Sequence, residues 1–235
     1  MSFQMIHMEI AYRLLNKLPQ INNPAEFILG SVAPDSVHMS PSYDVSKKVV
    51  SHMFEGCGPW SDTQDYKRWK SNIKNVFESV YVNSDREECR DFVLGLCVHC
   101  LTDYWNDVKI WKRLQGEYLS SMEFEVFRNA YYPEAQGIDK WLYQNSKNTK
   151  IIREMLMKAK AFDVKELVDK DNIEKQRSHL LNVQYNVEMI DISSYQFLSA
   201  EDIYEFIDFV VDDIAKTFKS WYMALEDTWK NPHLN

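Results

Sequence analysis

Hydrophobic side chains recur at intervals of three and four residues through most of this chain. In the first segment, Ile6, Ile10 and Leu14 follow one another at steps of four, which places them on one face of a helix. Runs of alternating β-branched residues are nearly absent, and glycine (6) and proline (7) are scarce. Because strands and hairpins need such alternation and frequent turn residues, the pattern predicts an all-α protein.

The periodic segments set the expected order of elements. Helices are predicted over residues 3–17, 24–29, 45–54, 62–82, 86–106, 119–131, 138–145, 147–161, 164–188 (as one helix or two) and 199–229. Between the second and third, SVAPDSVHMSPSYD holds two prolines and many turn-forming residues, so a loop is predicted there. No repeat, low-complexity tract or linker divides the 235 residues. We expect a single helical domain, 1–235, large enough to bury a substantial core.

Composition and charge limit the partners and the cellular location that we expect for the protein. The net charge is −8, which argues against a basic groove for nucleic acid. The opening MSFQMIHMEIAYRLL lacks the basic leader, continuous apolar stretch and small-residue cleavage site of a signal peptide. No run approaches the roughly 20 apolar residues that span a bilayer. These features predict a cytoplasmic protein without a transmembrane segment.

The cysteines offer one candidate motif, Cys97-Val-His-Cys100, whose spacing occurs in zinc and redox sites. A second such pair is missing from the sequence, and no turn residue separates the two cysteines. On a helix, cysteines more often pack as small hydrophobic side chains. We therefore expect reduced, packed thiols.

Stronger candidates for chemistry are His99 and Asp103, four residues apart in LGLCVHCLTDYW. On a helix this spacing puts both side chains on one face, where they can contact the same metal ion. The pair alone fits equally a buried histidine near a helix-end carboxylate. His7 on the first predicted helix, His52 near the end of the third, and Asp35 in the proline-containing loop could complete a ligand set of histidines and carboxylates.

Four segments together resemble the zinc-dependent phospholipase C family and the related fungal single-strand nucleases. The segments are HMEIA (7–11), FILGSVAPDS (27–36), SHMF (51–54) and FVLGLCVHCLTD (92–103). In that family, metal ligands occur in this order inside an all-helical domain. The resemblance covers about the first 105 residues.

The resemblance implies a site for one or two zinc ions. It places Asp35, His52, His99 and Asp103 around one ion, with Asp103 bridging to a second ion held by His7. In the family a free N-terminal amine also binds the second ion; removal of Met1 would expose such an amine on Ser2. The implied activity is hydrolysis of a phosphodiester of a small molecule or lipid head group by metal-activated water, with Asp35 as both ligand and general base.

The sequence departs from the family after Asp103. The family's third ion needs a histidine six residues further on and a later His-x-x-x-Glu or His-x-x-x-Asp pair. Lys109 occupies the first position, and Val183 follows His179 by four residues, so the third ion is expected to be absent. Lys109 could supply a fixed positive charge instead, although a surface lysine is the preferred interpretation.

Several other side chains near the predicted ligands have ordinary explanations that we prefer. His38 suits a surface loop, and Glu55 and Asp107 suit solvated carboxylates, although either carboxylate could orient a ligating histidine. Tyr104 and Trp105 suit core packing, although aromatic rings can also receive a quaternary ammonium group.

Two further classes of function compete with the phosphoesterase. A non-catalytic helical domain could keep the metal as a structural staple and bind a ligand or partner, since four protein ligands already close a zinc site. An HD-type phosphohydrolase needs an adjacent His-Asp dipeptide, which this sequence lacks. The oligomeric state is not indicated by the sequence.

Overall fold

The structure is a computed structural model that describes residues 3–84 and 86–230, and within them it contains α-helices and no β-strand. The α-helices, in chain order, are α1 (Gln4–Leu14), α2 (Pro24–Gly30), α3 (Val45–Ser51), α4 (Tyr66–Asn83), α5 (Glu87–Asn106), α6 (Lys112–Tyr118), α7 (Phe124–Asn145), α8 (Thr149–Lys158), α9 (Lys170–His179) and α10 (Ala200–Lys230). Three short helices of other types are a 3-10 helix (Ala33–Met39) and two π-helices (Asp107–Trp111 and Leu180–Gln184). The predicted all-α class is confirmed.

The predicted break between residues 131 and 138 is wrong. Helix α7 runs through Pro133 without interruption. Proline removes one backbone hydrogen bond, but Tyr131, Ala135, Ile138 and Leu142 are buried at steps of four and three residues. Burial of that continuous apolar face holds the helix together across the proline.

The chain also stays helical beyond the predicted end at residue 106. The π-helix Asp107–Trp111 leads directly into α6. Ile110, Trp111 and Leu114 are buried there. Packing of these side chains in the core therefore keeps the chain helical, although its sequence carries no clear signal for the start of a helix.

Helix α9 begins later than predicted. Val164 and Val168 form an isolated bridge instead of a helical turn. The Asp169 side chain then accepts a hydrogen bond from the Asn172 backbone N–H, which is the N-cap arrangement that starts a helix.

The predicted loop after α2 contains the 3-10 helix, and a close helix crossing sets its position. Helices α2 and α5 cross at Gly30 and Gly95. A Cβ atom placed on Gly30 would lie 2.0 Å from the Phe92 carbonyl oxygen, and one on Gly95 would lie 2.2 Å from the Phe27 carbonyl oxygen. Only glycine allows backbones this close, and the crossing brings the start of the 3-10 helix against the middle of α5.

Helices α1 and α5 lie within the core. Every residue from Gln4 to Ala11 is buried, and so is every residue from Asp91 to Asp103. Polar side chains on these two segments are therefore removed from water whichever way they point. Within the described residues, no helix combines the length and apolar character that crossing a bilayer requires.

Candidate metal centre

Five polar side chains from four separate elements converge in the core. Helix α1 carries one of them, the 3-10 helix one, the residue after α3 one, and α5 two. Their exposed fractions are between 0 and 6%. The five are His7, Asp35, His52, His99 and Asp103, the same residues that the sequence suggested as ligands; we call them the His/Asp cluster.

The backbone fixes the orientation of His99. Its Nδ1 lies 2.8 Å from the Ser31 carbonyl oxygen, and because a carbonyl only accepts hydrogen bonds, Nδ1 carries the proton. The Nε2 lone pair of His99 therefore faces the cluster. A metal-binding histidine with its other nitrogen bonded to a carbonyl is a usual arrangement.

His52 lies directly after α3 and is held on both sides. Its Nδ1 is 2.9 Å from the Ser51 hydroxyl, and its carbonyl accepts a hydrogen bond from the Trp69 indole. The next residue, Met53, has φ 56°, a left-handed conformation that non-glycine residues seldom adopt. The sharp turn there leaves His52 Nε2 pointing into the cluster.

The distances among four donor atoms match the size of a zinc site. His52 Nε2 lies 3.3 Å from Asp35 Oδ1, 3.4 Å from Asp103 Oδ2 and 3.2 Å from His99 Nε2. His99 Nε2 lies 3.7 Å from Asp103 Oδ2. Ligands about 2.0–2.1 Å from a tetrahedral zinc ion lie roughly 3.3–3.4 Å from one another. These four spacings are close to those between zinc ligands. The donor atoms form two groups whose members lie within 4.8 Å of one another, which are Asp35, His52 and His99, and His7, His99 and Asp103.

His7 occupies the other side of Asp103. Its ring stacks on His99 with centroids 3.9 Å apart, and its Nε2 lies 3.4 Å from Asp103 Oδ1. Both His7 ring nitrogens are buried, and neither has a hydrogen bond of good geometry to any of the described residues, which is rare and costly in a folded protein. Asp103 thus presents one oxygen to His7 and the other to His52 and His99, as a carboxylate that bridges two ions would.

The electrostatics favour the forms that bind metal. Burial lowers the pKa values of His52 and His99, so both rings stay neutral near pH 7. Burial by itself would raise the pKa of Asp35, but the Lys48 ammonium and a hydrogen bond from His52 hold it well below its usual value. Contacts with His7 and His99 likewise help keep the pKa of Asp103 low despite burial.

Two side chains of the site were missed by the sequence analysis. The Lys48 Nζ lies 3.1 Å from Asp35 Oδ1, and the Gln4 amide donates to Asp35 Oδ2 at 2.6 Å. Lys48 is four residues before His52, and Gln4 is three before His7. That helical spacing to a candidate ligand was a signal available in the sequence.

Lys109 does not take the place of a third ion. Its side chain is exposed, and its ammonium lies 4.0 Å from the centre of the Phe209 ring, so the preferred interpretation as a surface lysine holds. Lys48, not Lys109, brings a positive charge to the cluster.

The surroundings of Glu55, Asp107 and His38 differ from one another. Glu55 is exposed, whereas Asp107 is buried and accepts a hydrogen bond from the Tyr66 hydroxyl at 2.6 Å. The prediction of a solvated Asp107 is thus wrong, because the π-helix turns its side chain inward. The exposed His38 does approach the cluster, with its Nε2 3.7 Å from Asp35 Oδ1.

The aromatic pair on α5 packs against other helices. The Trp105 indole donates to Asp213 at 2.8 Å, and Tyr104 packs edge-on against Tyr66. Both are half-buried, in keeping with the packing role that we preferred.

The cysteines are free thiols, as expected. The Cys97 sulfur lies 3.9 Å from the Ile73 carbonyl oxygen, and the Cys100 sulfur lies 3.9 Å from the Ser51 carbonyl oxygen. Burial raises the pKa values of both thiols, which opposes the thiolate form that metals bind. The metal-binding groups found among the described residues contain no cysteine.

Two cavities that share Trp60 in their walls reach the His/Asp cluster. A cleft of about 500 Å³ is lined by Asp35, Lys48 and Trp60, among others. A small cavity of about 40 Å³ is lined by Asp103, Trp60 and Trp111, among others. A ligand or water can therefore approach both carboxylates, although the cluster itself is buried.

Comparisons of the chain with protein-family models, with characterised proteins and with solved structures gave no match. Met1 and Ser2 lie outside the described residues, so the expected part of an N-terminal amine in a second metal site stays a prediction. The fold and the cluster define a class: an all-α protein with a buried His/Asp site able to hold a metal ion.

Proposed function

We propose that this protein is a zinc-dependent hydrolase that cleaves phosphodiester bonds of small molecules or phospholipid head groups. The observation that carries the proposal is the set of four donor-atom distances from 3.2 to 3.7 Å that link Asp35, His52, His99 and Asp103 through two groups able to hold a metal ion. The orphaned nitrogens of His7 beside Asp103 add a place for a second ion. The sequence resemblance to zinc-dependent phospholipases C supplies the reaction class.

Each ligand has a defined role in this proposal. Asp35, His52, His99 and Asp103 hold the first ion, while His7 and the second oxygen of Asp103 face the second position. Bound zinc supplies an electrophile that makes water acidic near neutral pH and neutralises charge on a phosphoryl group. The cleft beside Asp35 admits the phosphoester, and the surrounding core excludes bulk water.

The part of Asp35 as a general base stays a prediction. Its two oxygens already accept hydrogen bonds from Lys48 and Gln4, and its pKa lies well below the usual value. An efficient general base has a pKa near the working pH. These contacts support the ligand role of Asp35 more strongly than the base role.

A structural zinc ion is the second candidate function. Four protein ligands are enough to close a tetrahedral site, and here they join the 3-10 helix, α3 and α5. Such an ion would hold these elements together and leave the cleft for a non-catalytic ligand. The cavities that reach Asp35 and Asp103 favour the catalytic proposal.

The first test is zinc content per chain, measured by plasma mass spectrometry on untagged protein. We expect one or two equivalents of zinc and chelator-sensitive hydrolysis of bis(p-nitrophenyl) phosphate. The variant His99→Ala should lose the most tightly bound zinc because it removes a central ligand. His179→Ala, which removes a histidine outside the cluster, should keep the wild-type zinc content.

Three outcomes separate the candidates. Stoichiometric zinc without turnover on a broad panel of phosphoesters would favour the structural ion. Unchanged zinc in His99→Ala would reject the ligand assignment. No zinc uptake by the wild-type protein, even after addition of the metal, would reject both candidates.

A further inference from the structure

Lys48 places a buried positive charge at the edge of the His/Asp cluster. Its side chain is 6% exposed, and its Nζ lies 3.1 Å from Asp35 Oδ1 and 3.4 Å from His38 Nε2. The Trp60 ring centre is 5.0 Å away. A buried ammonium is costly unless it is paired, and Asp35 provides the pairing charge.

Pairing with Asp35 does not use up the donors of Lys48. An ammonium has three N–H donors, and among the described residues the Lys48 Nζ lies within hydrogen-bond distance of Asp35 Oδ1 and His38 Nε2. Lys48 also lines the cleft of about 500 Å³, so its ammonium is within reach of a ligand there.

The side chains that line the cleft are suited to binding an anion, although the molecule as a whole is acidic. Among the described residues that line it, the permanent cations are Lys48 and Arg128, and the one carboxylate is Asp35, which is already paired. Gln4 and Gln176 add amide groups to the same wall. The whole chain has a net charge of −8, so this composition is local.

The charges beside the cleft also favour the binding of a phosphate group. A phosphodiester carries one negative charge, and the Lys48 ammonium would be a second cation beside a divalent ion held by the cluster. The ammonium thus supplies part of the positive charge that a further ion provides in multi-metal sites. It lies on the cleft side of Asp35, where an arriving phosphate would meet it.

We propose that Lys48 binds a phosphate oxygen of the ligand in this cleft and acts as a fixed second cation beside the metal position. This inference rests on the proposed function, since it identifies how the same site recognises phosphate. Asp35 is then a shared partner, because its Oδ1 both faces His52 in the cluster and accepts the hydrogen bond from Lys48.

Inorganic phosphate is the probe for the test, titrated by isothermal calorimetry into zinc-loaded protein. Lys48→Met should weaken phosphate binding at least about 10-fold, because a charge-assisted hydrogen bond is lost. Lys48→Arg should retain much of the affinity. The control Lys47→Met removes the neighbouring lysine, which hydrogen-bonds Ser40 and Ser42 and does not line the cleft, and it should bind phosphate as the wild type does.

Zinc content and circular dichroism of each variant separate phosphate binding from a purely structural role. The proposal requires that Lys48→Met keeps its fold and zinc while losing phosphate affinity. Unchanged phosphate affinity, or loss of zinc in step with phosphate, would overturn it, because Lys48 would then act only through Asp35.

Wild-type protein alone also tests the inference, should Lys48→Met fail to fold. Absence of phosphate binding to the wild type, zinc-loaded or metal-free, would overturn the role of Lys48. Turnover is a separate readout. Lys48-dependent phosphate binding without hydrolysis would reject the enzyme and keep this inference, whereas hydrolysis that does not depend on Lys48 would do the reverse.

Discussion

His7 is the residue whose environment is hardest to explain without a ligand. Its two ring nitrogens are buried and lack a well-aligned hydrogen bond to the part of the chain that the structure describes, while its ring is stacked on His99. An unsatisfied buried polar group costs about 1–3 kcal/mol. A metal ion shared with Asp103, whose Oδ1 is 3.4 Å away, would give one of these nitrogens a partner.

We predict that His7→Phe separates stability from metal binding. The phenyl ring keeps the stacking surface and removes the orphaned nitrogens, so the metal-free protein should gain about 1 kcal/mol in its free energy of unfolding. Urea denaturation of metal-free protein measures this gain. The same variant should bind one zinc equivalent fewer than a wild type that binds two. A loss of stability in the metal-free variant would show that His7 is satisfied by a partner other than metal.

At the scale of elements, the crossing of α2 and α5 determines where the ligands lie. Gly30 and Gly95 bring the two backbones into contact, and Ser31, one residue beyond the crossing, accepts the hydrogen bond that orients His99. Asp35 follows within the next turn of chain. Any change that separates the helices should therefore disturb both the core and the cluster.

We predict that Gly30→Ala destabilises the protein by about 1–3 kcal/mol, the usual cost of overpacking a core. Its Cβ would lie 2.0 Å from the Phe92 carbonyl oxygen, so α2 has to move away from α5. Chemical denaturation gives the change in free energy, and zinc affinity should fall with it.

Gly116→Ala is the matched control for that variant. Gly116 lies in α6 with nothing within 4 Å of an added Cβ, so alanine should stabilise the helix by roughly 0.5–1 kcal/mol. Equal effects of the two substitutions would mean that the crossing is not tightly packed.

At the scale of the whole molecule, burial of histidines links stability to pH. Burial lowers the pKa values of His52 and His99, and that of His38 to about 4. Below the ordinary histidine pKa of about 6.5, the unfolded chain therefore takes up protons that the folded chain does not. Stability is present above that pH and is lost as pH falls through the folded pKa values.

Asp139 has the opposite effect on the pH dependence of stability. Burial raises its pKa to about 7, although it accepts hydrogen bonds from the Met5 and Ile6 backbones and from Tyr185. Between its ordinary pKa of about 3.8 and 7, the folded protein holds a proton that the unfolded chain has lost. Acidification through this window therefore favours folding at Asp139, against the effect of the histidines.

We predict that metal-free protein loses stability between pH 6.5 and pH 4, because the two fully buried histidines, with a smaller share from the exposed His38, outweigh one carboxyl group. Thermal unfolding across this range tests the sign. Asp139→Asn removes the opposing group, so its loss of stability on acidification should be steeper than that of the wild type. A stability that rises steadily toward pH 4 would show that the histidines are protonated in the folded state.

The sequence by itself determined the fold class, most helices and the five candidate ligands. Helical periodicity is local, since residues three and four apart face the same way, and His99 and Asp103 are related by that local rule. The other ligands were suggested by the order of short segments and not by any distance. The continuity of α7 through Pro133 was beyond reach, because a buried stripe made by other helices compensates for the proline.

Only the tertiary structure decided how the candidate residues meet. Lys48 and Gln4 enter the site because α1, α3 and the 3-10 helix converge on α5, and Lys109 stays outside it because the π-helix turns its side chain toward Phe209. These outcomes depend on contacts between residues distant in sequence, such as the approach of Gly30 to Phe92. Local propensity carries no information about such contacts, and burial among them sets the charge states of the His/Asp cluster.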